Sequence, residues 1–249
     1  MGRLTGFIKL EGTLDGLTFY KSQDGYIVRT KGGVSKNRIM NDPSYARTRE
    51  NLSEFGLNAK SGKLIRDSVG VLLNRAKDPK LSSRMLQLMN AIKNLDSNSV
   101  RGQRTVHLGL DTVEGKQLLK GFDFNAKATL ASVLHAAYTV DATTGTIAIT
   151  DFISQEQLST PNSATHVSFR SAFINLDLAT GIFDKSYSPI NNVVINQNLT
   201  TVTLIPEQVP VGSGIQLYLL LVEFFQEVNG VQYPLQSGTY NALNLVEIV

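Results

Sequence analysis

The stretch Ile215-Gln-Leu-Tyr-Leu-Leu-Leu-Val-Glu-Phe-Phe-Gln-Glu227, followed by Val228-Asn229-Gly230 and Val231-Gln-Tyr-Pro-Leu235, decides the fold. Two runs rich in aliphatic and aromatic residues flank an Asn-Gly pair. That dipeptide accepts the positive φ that a type I′ turn needs at both central positions, so the stretch reads as a β-hairpin. The apolar run Leu217 to Phe225 contains Glu223 and is far too short to cross a bilayer.

Working outward, the same texture fills the chain from about Ala128 to its end. Charge is sparse, Thr, Val and Ile are frequent, and turn signals recur at Thr144-Gly145, Thr180-Gly181, Gly212-Ser-Gly214 and Ser237-Gly238. Strands are expected over Ala128–Val140, Thr146–Thr150, Ala164–Leu178, Asn192–Asn196, Thr200–Ile205, Ile215–Glu227, Val231–Leu235 and Ala242–Ile248. Short strands at this spacing fit an antiparallel β-sandwich of immunoglobulin-like type. The chain has neither Cys nor Trp, so an antibody-type domain is excluded, as are disulfides, thiolate metal sites and cysteine nucleophiles.

The first half reads differently. Leu17-Thr-Phe-Tyr-Lys21 and Tyr26-Ile-Val-Arg-Thr30 are β-prone and separated by Ser22-Gln-Asp-Gly25, while Asp15-Gly16 is placed to pair Phe7–Leu10 with Leu17–Lys21. Gly32-Gly33 closes this element. Asp42-Pro43 then supplies an N-cap and a proline at the first helical position. Tyr45, Thr48, Leu52, Phe55 and Ala59 follow at helical spacing, with a break expected near Ser61-Gly62. A second stripe, Leu64, Ile65, Val69, Leu72 and Leu73, predicts a helix over about Lys63–Lys77. After Asp78-Pro79, the stripe Leu81, Met85, Leu88, Met89, Ile92 and Leu95 predicts the most amphipathic helix in the chain. Residues 96–104 read as a loop, Val106, Leu108 and Leu110 as a strand, and Thr112 to Leu119 as one or two helical turns. The fold class is therefore α+β, a hairpin and helical module over 1–127 followed by a sandwich over 128–249. No period of 20–50 residues suggests a solenoid.

Charge follows the same division. Residues 1–127 hold 22 basic and 12 acidic residues, a net of +10, and residues 128–249 hold 2 and 9, a net of −7. Two ends of opposite sign are an electrostatic handle on a partner. The N-terminal residues lack the apolar segment of a signal peptide, so synthesis in the cytoplasm is expected, with a final place in a particle or at a cell surface.

No catalytic constellation stands out. His107, His135 and His166 are not at metal-ligand spacing, and there is no His-Glu-x-x-His, no Gly-x-Ser-x-Gly and no P-loop. Glu50 and Glu54 are four apart on a basic helix and read as a solvated pair. The expectation is that the protein is not an enzyme and carries no cofactor or metal. Arg29, Lys31, Lys36, Arg38, Arg47 and Arg49, interleaved with Tyr20, Tyr26 and Tyr45, form a basic, aromatic stretch suited to acidic protein or to a nucleic-acid backbone.

The segments Gly12-Thr-Leu-Asp-Gly-Leu-Thr-Phe-Tyr-Lys21, Tyr26-Ile-Val-Arg29 and Asp42-Pro-Ser-Tyr-Ala-Arg-Thr-Arg-Glu-Asn51 with Phe55 resemble an uncharacterised group of proteins of Bacteroidota-type bacteria. In that group a Gly-rich hairpin leads into a basic helix and often into a β-sandwich. The resemblance covers the first 55–60 residues and implies lineage, with no activity to carry over.

These readings converge on a non-enzymatic structural or interaction protein whose copies assemble into a ring, tube, filament or phage-like or cell-surface particle. Opposite charges at the two ends favour a head-to-tail contact. Phe19, Tyr20, Tyr26, Arg29, Arg47 and Arg49 are the expected interface residues, and binding of nucleic acid through the basic half is the alternative.

Overall fold

The computed structural model of this 249-residue chain describes residues 2–3, 9–23, 25–30, 32–235 and 239–249, with Arg3 described by its main chain only. It divides into two compact units, Met1–Arg49 and Glu50–Val249. The boundary expected between residues 127 and 128 falls inside the second unit.

The first unit is a four-stranded antiparallel sheet and a short helix. Strands β1 (Gly2–Arg3), β2 (Gly12–Leu14), β3 (Leu17–Ser22) and β4 (Gly25–Thr30) lie in the order β1-β4-β3-β2. Asp15 and Gly16 have φ of 49° and 80°, the type I′ geometry that Asp-Gly favours. This turn joins β3 to Gly12–Leu14. Phe7 and Ile8, the start of the expected partner strand, lie outside the described residues, as does Asp24 in the next turn. Helix α1 (Lys36–Asn41) is capped by the Ser35 hydroxyl, which accepts from the Arg38 N–H at 3.3 Å. Asp42 caps the following 3₁₀ turn, Pro43–Tyr45, by accepting from the Ser44 N–H at 3.0 Å.

Helix α2 runs unbroken from Ala46 to Val69 and supplies the first element of the second unit. The expected break at Ser61-Gly62 is absent, because Gly62 is a contact point. A Cβ there would stand 3.0 Å from Met85 Cγ and 3.3 Å from Met89 Cγ, so glycine lets the two helices approach. A 3₁₀ turn, Gly70–Asn74, follows, and then α3 (Leu81–Lys93), α4 (Val106–Leu110), α5 (Val113–Leu119) and α6 (Leu130–Val133). Two expected strands are therefore corrected. Val106–Leu110 is helical, with the Thr105 hydroxyl accepting from the Leu108 N–H and Val106 and Leu110 buried one turn apart. Within Ala128–Val140 only Thr139–Val140 is a strand, because Thr129 caps α6.

The remaining strands are β5 (Thr139–Val140), β6 (Ile147–Ile153), β7 (His166–Leu176), β8 (Phe183–Tyr187), β9 (Asn191–Val194), β10 (Leu199–Leu204), β11 (Ile215–Val228), β12 (Val231–Pro234) and β13 (Ala242–Ile248). β8 is an addition to the strands expected from sequence. β7 and β11 form the antiparallel centre of the larger sheet, in register from Ile215 opposite Leu176 to Phe225 opposite His166. β13 and then β12 line the outer side of β11, while β8 and β9 line the outer side of β7. The smaller sheet has the order β10-β6-β5. Asn229 and Gly230 have φ of 53° and 77°, so the Asn-Gly turn joins β11 to β12 as expected. Ser237-Gly238 lies outside the described residues.

The larger sheet is covered on both faces, which explains why β11 is apolar without alternation. One face presents Ala172, Ile174, Leu217, Leu219 and Leu221 to helical residues that include Ile65, Val69, Met85, Met89 and Ile92. The other presents Phe169, Phe173, Tyr218, Leu220 and Phe224 to Ile147, Ile149, Phe152 and Val202. Phe173 and Tyr218 stack with ring centroids 4.5 Å apart. Burial of each such side chain contributes about 1.5–3 kcal/mol before conformational entropy is counted. Among the described residues no helix is long and apolar enough to cross a membrane.

Candidate interaction surface

The sheet of the first unit sets the site. Alternation along β3 and β4 sorts its side chains into two faces. Leu17, Phe19 and Lys21 share one face with Tyr26 and Val28, and Leu14 joins them opposite Leu17. Lys9 Nζ lies 5.5 Å from the centre of the Tyr26 ring. The opposite face carries Tyr20, Ile27 and Arg29, with the Arg29 guanidinium 5.6 Å from the Tyr20 ring centre. Among the described residues of Met1–Arg49 none is buried, and Leu14 is 67% exposed. A small sheet is stable only when an apolar face is covered, so this unit presents surface that a contact would bury.

The six expected interface residues therefore separate. Phe19 and Tyr26 lie on one sheet face, and Tyr20 and Arg29 on the other. Arg47 is exposed, and among the described residues its side chain has no hydrogen-bond or ion-pair partner. Arg49 is half-buried and donates through Nη1 to the carbonyls of Ile39 at 2.8 Å and Asp42 at 2.9 Å. It clamps the end of α1 and the turn after it, a structural duty.

Helix α2 adds an unexpected feature. Its inward stripe is Glu54, Asn58, Gly62, Ile65 and Val69. Leu52 and Phe55, from the stripe expected to face a core, are 53% and 50% exposed. The polar inward positions are instead satisfied by specific partners. Glu54 is ion-paired with Lys93 and accepts from the Gly102 N–H at 2.8 Å. Burial opposes ionisation of this carboxyl, but the Lys93 ammonium and the Gly102 N–H outweigh it and hold its pKa below the usual value. Asn58 donates to the Asn90 side-chain oxygen at 2.7 Å. The solvated reading of the Glu50 and Glu54 pair thus fails for Glu54. Glu50 stays near the surface, 3.2 Å from Arg101.

Chemistry elsewhere is thin. Among the described residues no group of His, Asp and Glu side chains could hold a metal ion. His135 Nε2 meets the Ser159 hydroxyl at 2.9 Å, but among the described residues no carboxylate orients that exposed ring. His166 lies 3.5 Å from Glu227 and 3.0 Å from the Thr165 hydroxyl. A pocket of about 500 Å³ is lined by His107, Asp111, Lys116, Asp177 and Gln216. Asp177 is engaged in its own turn, accepting from the Thr180 hydroxyl at 2.7 Å and the Ala179 N–H at 2.8 Å. These bonds hold its pKa below the ordinary value.

Comparison with known proteins finds no matching family model, no matching curated protein and no matching solved structure.

Proposed function

We propose that this is a non-enzymatic structural or interaction protein whose copies assemble through the N-terminal sheet into a ring, tube, filament or particle of phage-like or cell-surface type. The observation that carries the reading is the first unit itself. It is a four-stranded sheet with no buried residue among those described, and it displays Leu14, Leu17, Phe19 and Tyr26 on one face. Exposed apolar sheet surface is costly for an isolated chain and is expected where another chain covers it. In the second unit we read the two sheets that share one core as a β-sandwich. Its outer helical layer is an addition to the immunoglobulin-like plan.

Light scattering of the full chain after size exclusion tests the reading. Oligomers larger than a monomer support it, and a monomer at every concentration and salt contradicts it.

A second reading, nucleic-acid association, draws on the nine basic and four acidic residues of Met1–Arg49 and on the Arg29–Tyr20 stack. It requires affinity for DNA or RNA that falls linearly with log salt.

A further inference from the structure

A cavity of about 360 Å³ opens between helices α2 and α3 in the second unit. Its walls are Asn51, Glu54 and Phe55 from α2 and Asn90, Lys93 and Asn94 from α3 and its end. A second cavity, of about 340 Å³, also has Phe55 and Asn90 in its lining and continues along α3 past Gln87 and Ser83. Phe55 and Asn90 therefore stand between two adjoining cavities. Phe55 is half exposed and belongs to neither apolar core, so core packing does not account for its ring.

The polar lining is rich and largely unused. Among the described residues the side chains of Asn51, Ser83, Gln87 and Asn94 make no hydrogen bond. Asn90 is set in place from behind. The fully buried Asn58 donates to its Oδ1 at 2.7 Å, which leaves the Asn90 NH₂ group for the cavity. Ser83, Gln87, Asn90 and Asn94 follow one another at three- and four-residue steps, the spacing of a single helix face, with successive Cβ atoms about 5–6 Å apart. Charge is matched within the lining. Glu54 and Lys93 pair with each other in the first cavity, and Arg84 pairs with Asp78 at the second. Among the described residues Lys80 is the one lining cation without an ion-pair partner, so the groove offers no cluster of charge to a polyanion.

We propose that these two cavities bind a neutral carbohydrate chain, one sugar ring in each, laid across Phe55. Sugar hydroxyls donate and accept, as side-chain amides do, so a ring with adjacent hydroxyls matches a wall of Asn and Gln. The C–H face of a sugar ring needs a flat apolar partner, and in the first cavity Phe55 is that partner. Each cavity exceeds the roughly 300 Å³ at which small-molecule sites begin. A peptide would also satisfy amides, but extended peptides draw on an open strand edge or on apolar pockets for alternate side chains. This lining is helical and mostly polar. The site lies wholly within Glu50–Val249 and does not depend on self-assembly through the N-terminal sheet.

Saturation-transfer NMR on the full chain tests the proposal and serves monomer and oligomer alike. The probes are tetrasaccharides of α-1,4-glucose, β-1,4-glucose, mannose, galactose, xylose and N-acetylglucosamine. Each is raised to about 20 mM, above the Kd of about 1 mM or lower expected for a ligand of this size. At least one is expected to bind. Phe55→Ala should raise its Kd about fivefold to tenfold by removing the stacking ring. Asn94→Ala should raise it about fivefold by removing hydrogen bonds. Leu57→Ala, at an exposed α2 position outside both cavities, should leave it unchanged. All three positions are exposed, and thermal melts of the variants are expected to match wild type. No transfer to any sugar overturns the proposal, as does a bound sugar whose Kd is indifferent to both Phe55→Ala and Asn94→Ala. Transfer to a capped tetra-alanine peptide, lost in Phe55→Ala and with none to any sugar, overturns it in favour of a peptide ligand.

Discussion

Glu54 and Lys93 form an ion pair between helices α2 and α3, with the carboxylate buried and the ammonium side chain only 12% exposed. The same carboxylate accepts from the Gly102 N–H and so ties the 96–104 loop to the helices. Removing one partner strands the other charge in a poorly solvated site. Glu54→Ala is therefore expected to cost about 3–5 kcal/mol, read from chemical denaturation. A cost below 1 kcal/mol would mean that water reaches the pair freely.

The pair also carries a pH signature. The Glu54 pKa is lower in the folded chain than in the unfolded one, so its contribution is present in full above the ordinary carboxylate value. It is lost as pH falls from there through the lowered folded value. Asp78 and Asp96, whose pKa values are also lowered, act in the same direction, while Asp123 and Glu223, raised by burial, act in the opposite one. Glu54→Gln is expected to flatten the acid limb of the stability curve. An unchanged slope between wild type and variant would contradict the assignment.

Arg47 and Arg49, two residues apart, are expected to respond differently. Arg49→Ala removes two charge-assisted bonds to backbone carbonyls and should cost about 1.5–3 kcal/mol of stability around α1, seen as faster amide exchange at residues 36–45. Arg47→Ala should leave stability within about 0.5 kcal/mol of wild type. Equal effects from the two would refute the division of roles.

Glycines offer a third contrast. In exposed helical Gly56 an added Cβ meets nothing within 4 Å, so Gly56→Ala should stabilise by about 0.5–1 kcal/mol. At Gly109 an added Cβ would stand 2.2 Å from the Ile92 carbonyl oxygen, which is main chain and cannot swing aside. Gly109→Ala should cost about 1–3 kcal/mol or more as α3 and α4 are forced apart. Urea denaturation of both variants checks the pair of signs.

Much of the fold was legible where local chemistry and tertiary packing agree. The Asn229-Gly230 turn, the long strand β11, the α3 stripe and the Asp42-Pro43 cap all follow from short-range rules that packing leaves in force. Sequence reading fails where a long-range contact overrides the local pattern. Gly62 reads as a helix breaker until Met85 and Met89 are seen against it. Val106, Leu108 and Leu110 alternate like a strand, yet 106 and 110 are also one helical turn apart, and the Thr105 cap selects the helix. In α2 the expected apolar stripe points outward because Lys93, Gly102 and Asn90 give Glu54 and Asn58 buried partners that the sequence cannot display. The interface residues were legible only by type. Their division between two sheet faces, and the clamping role of Arg49, depend on strand register and on carbonyls seven and ten residues away.

Self-assembly is the central claim, and its most direct test is size-exclusion chromatography with light scattering on the full chain, at low and high salt, with negative-stain imaging of the same fractions. The account predicts closed rings or filaments at low salt that shorten or dissociate as salt screens the contact between the basic first unit and the acidic C-terminal surface. A monodisperse monomer under all these conditions would contradict it.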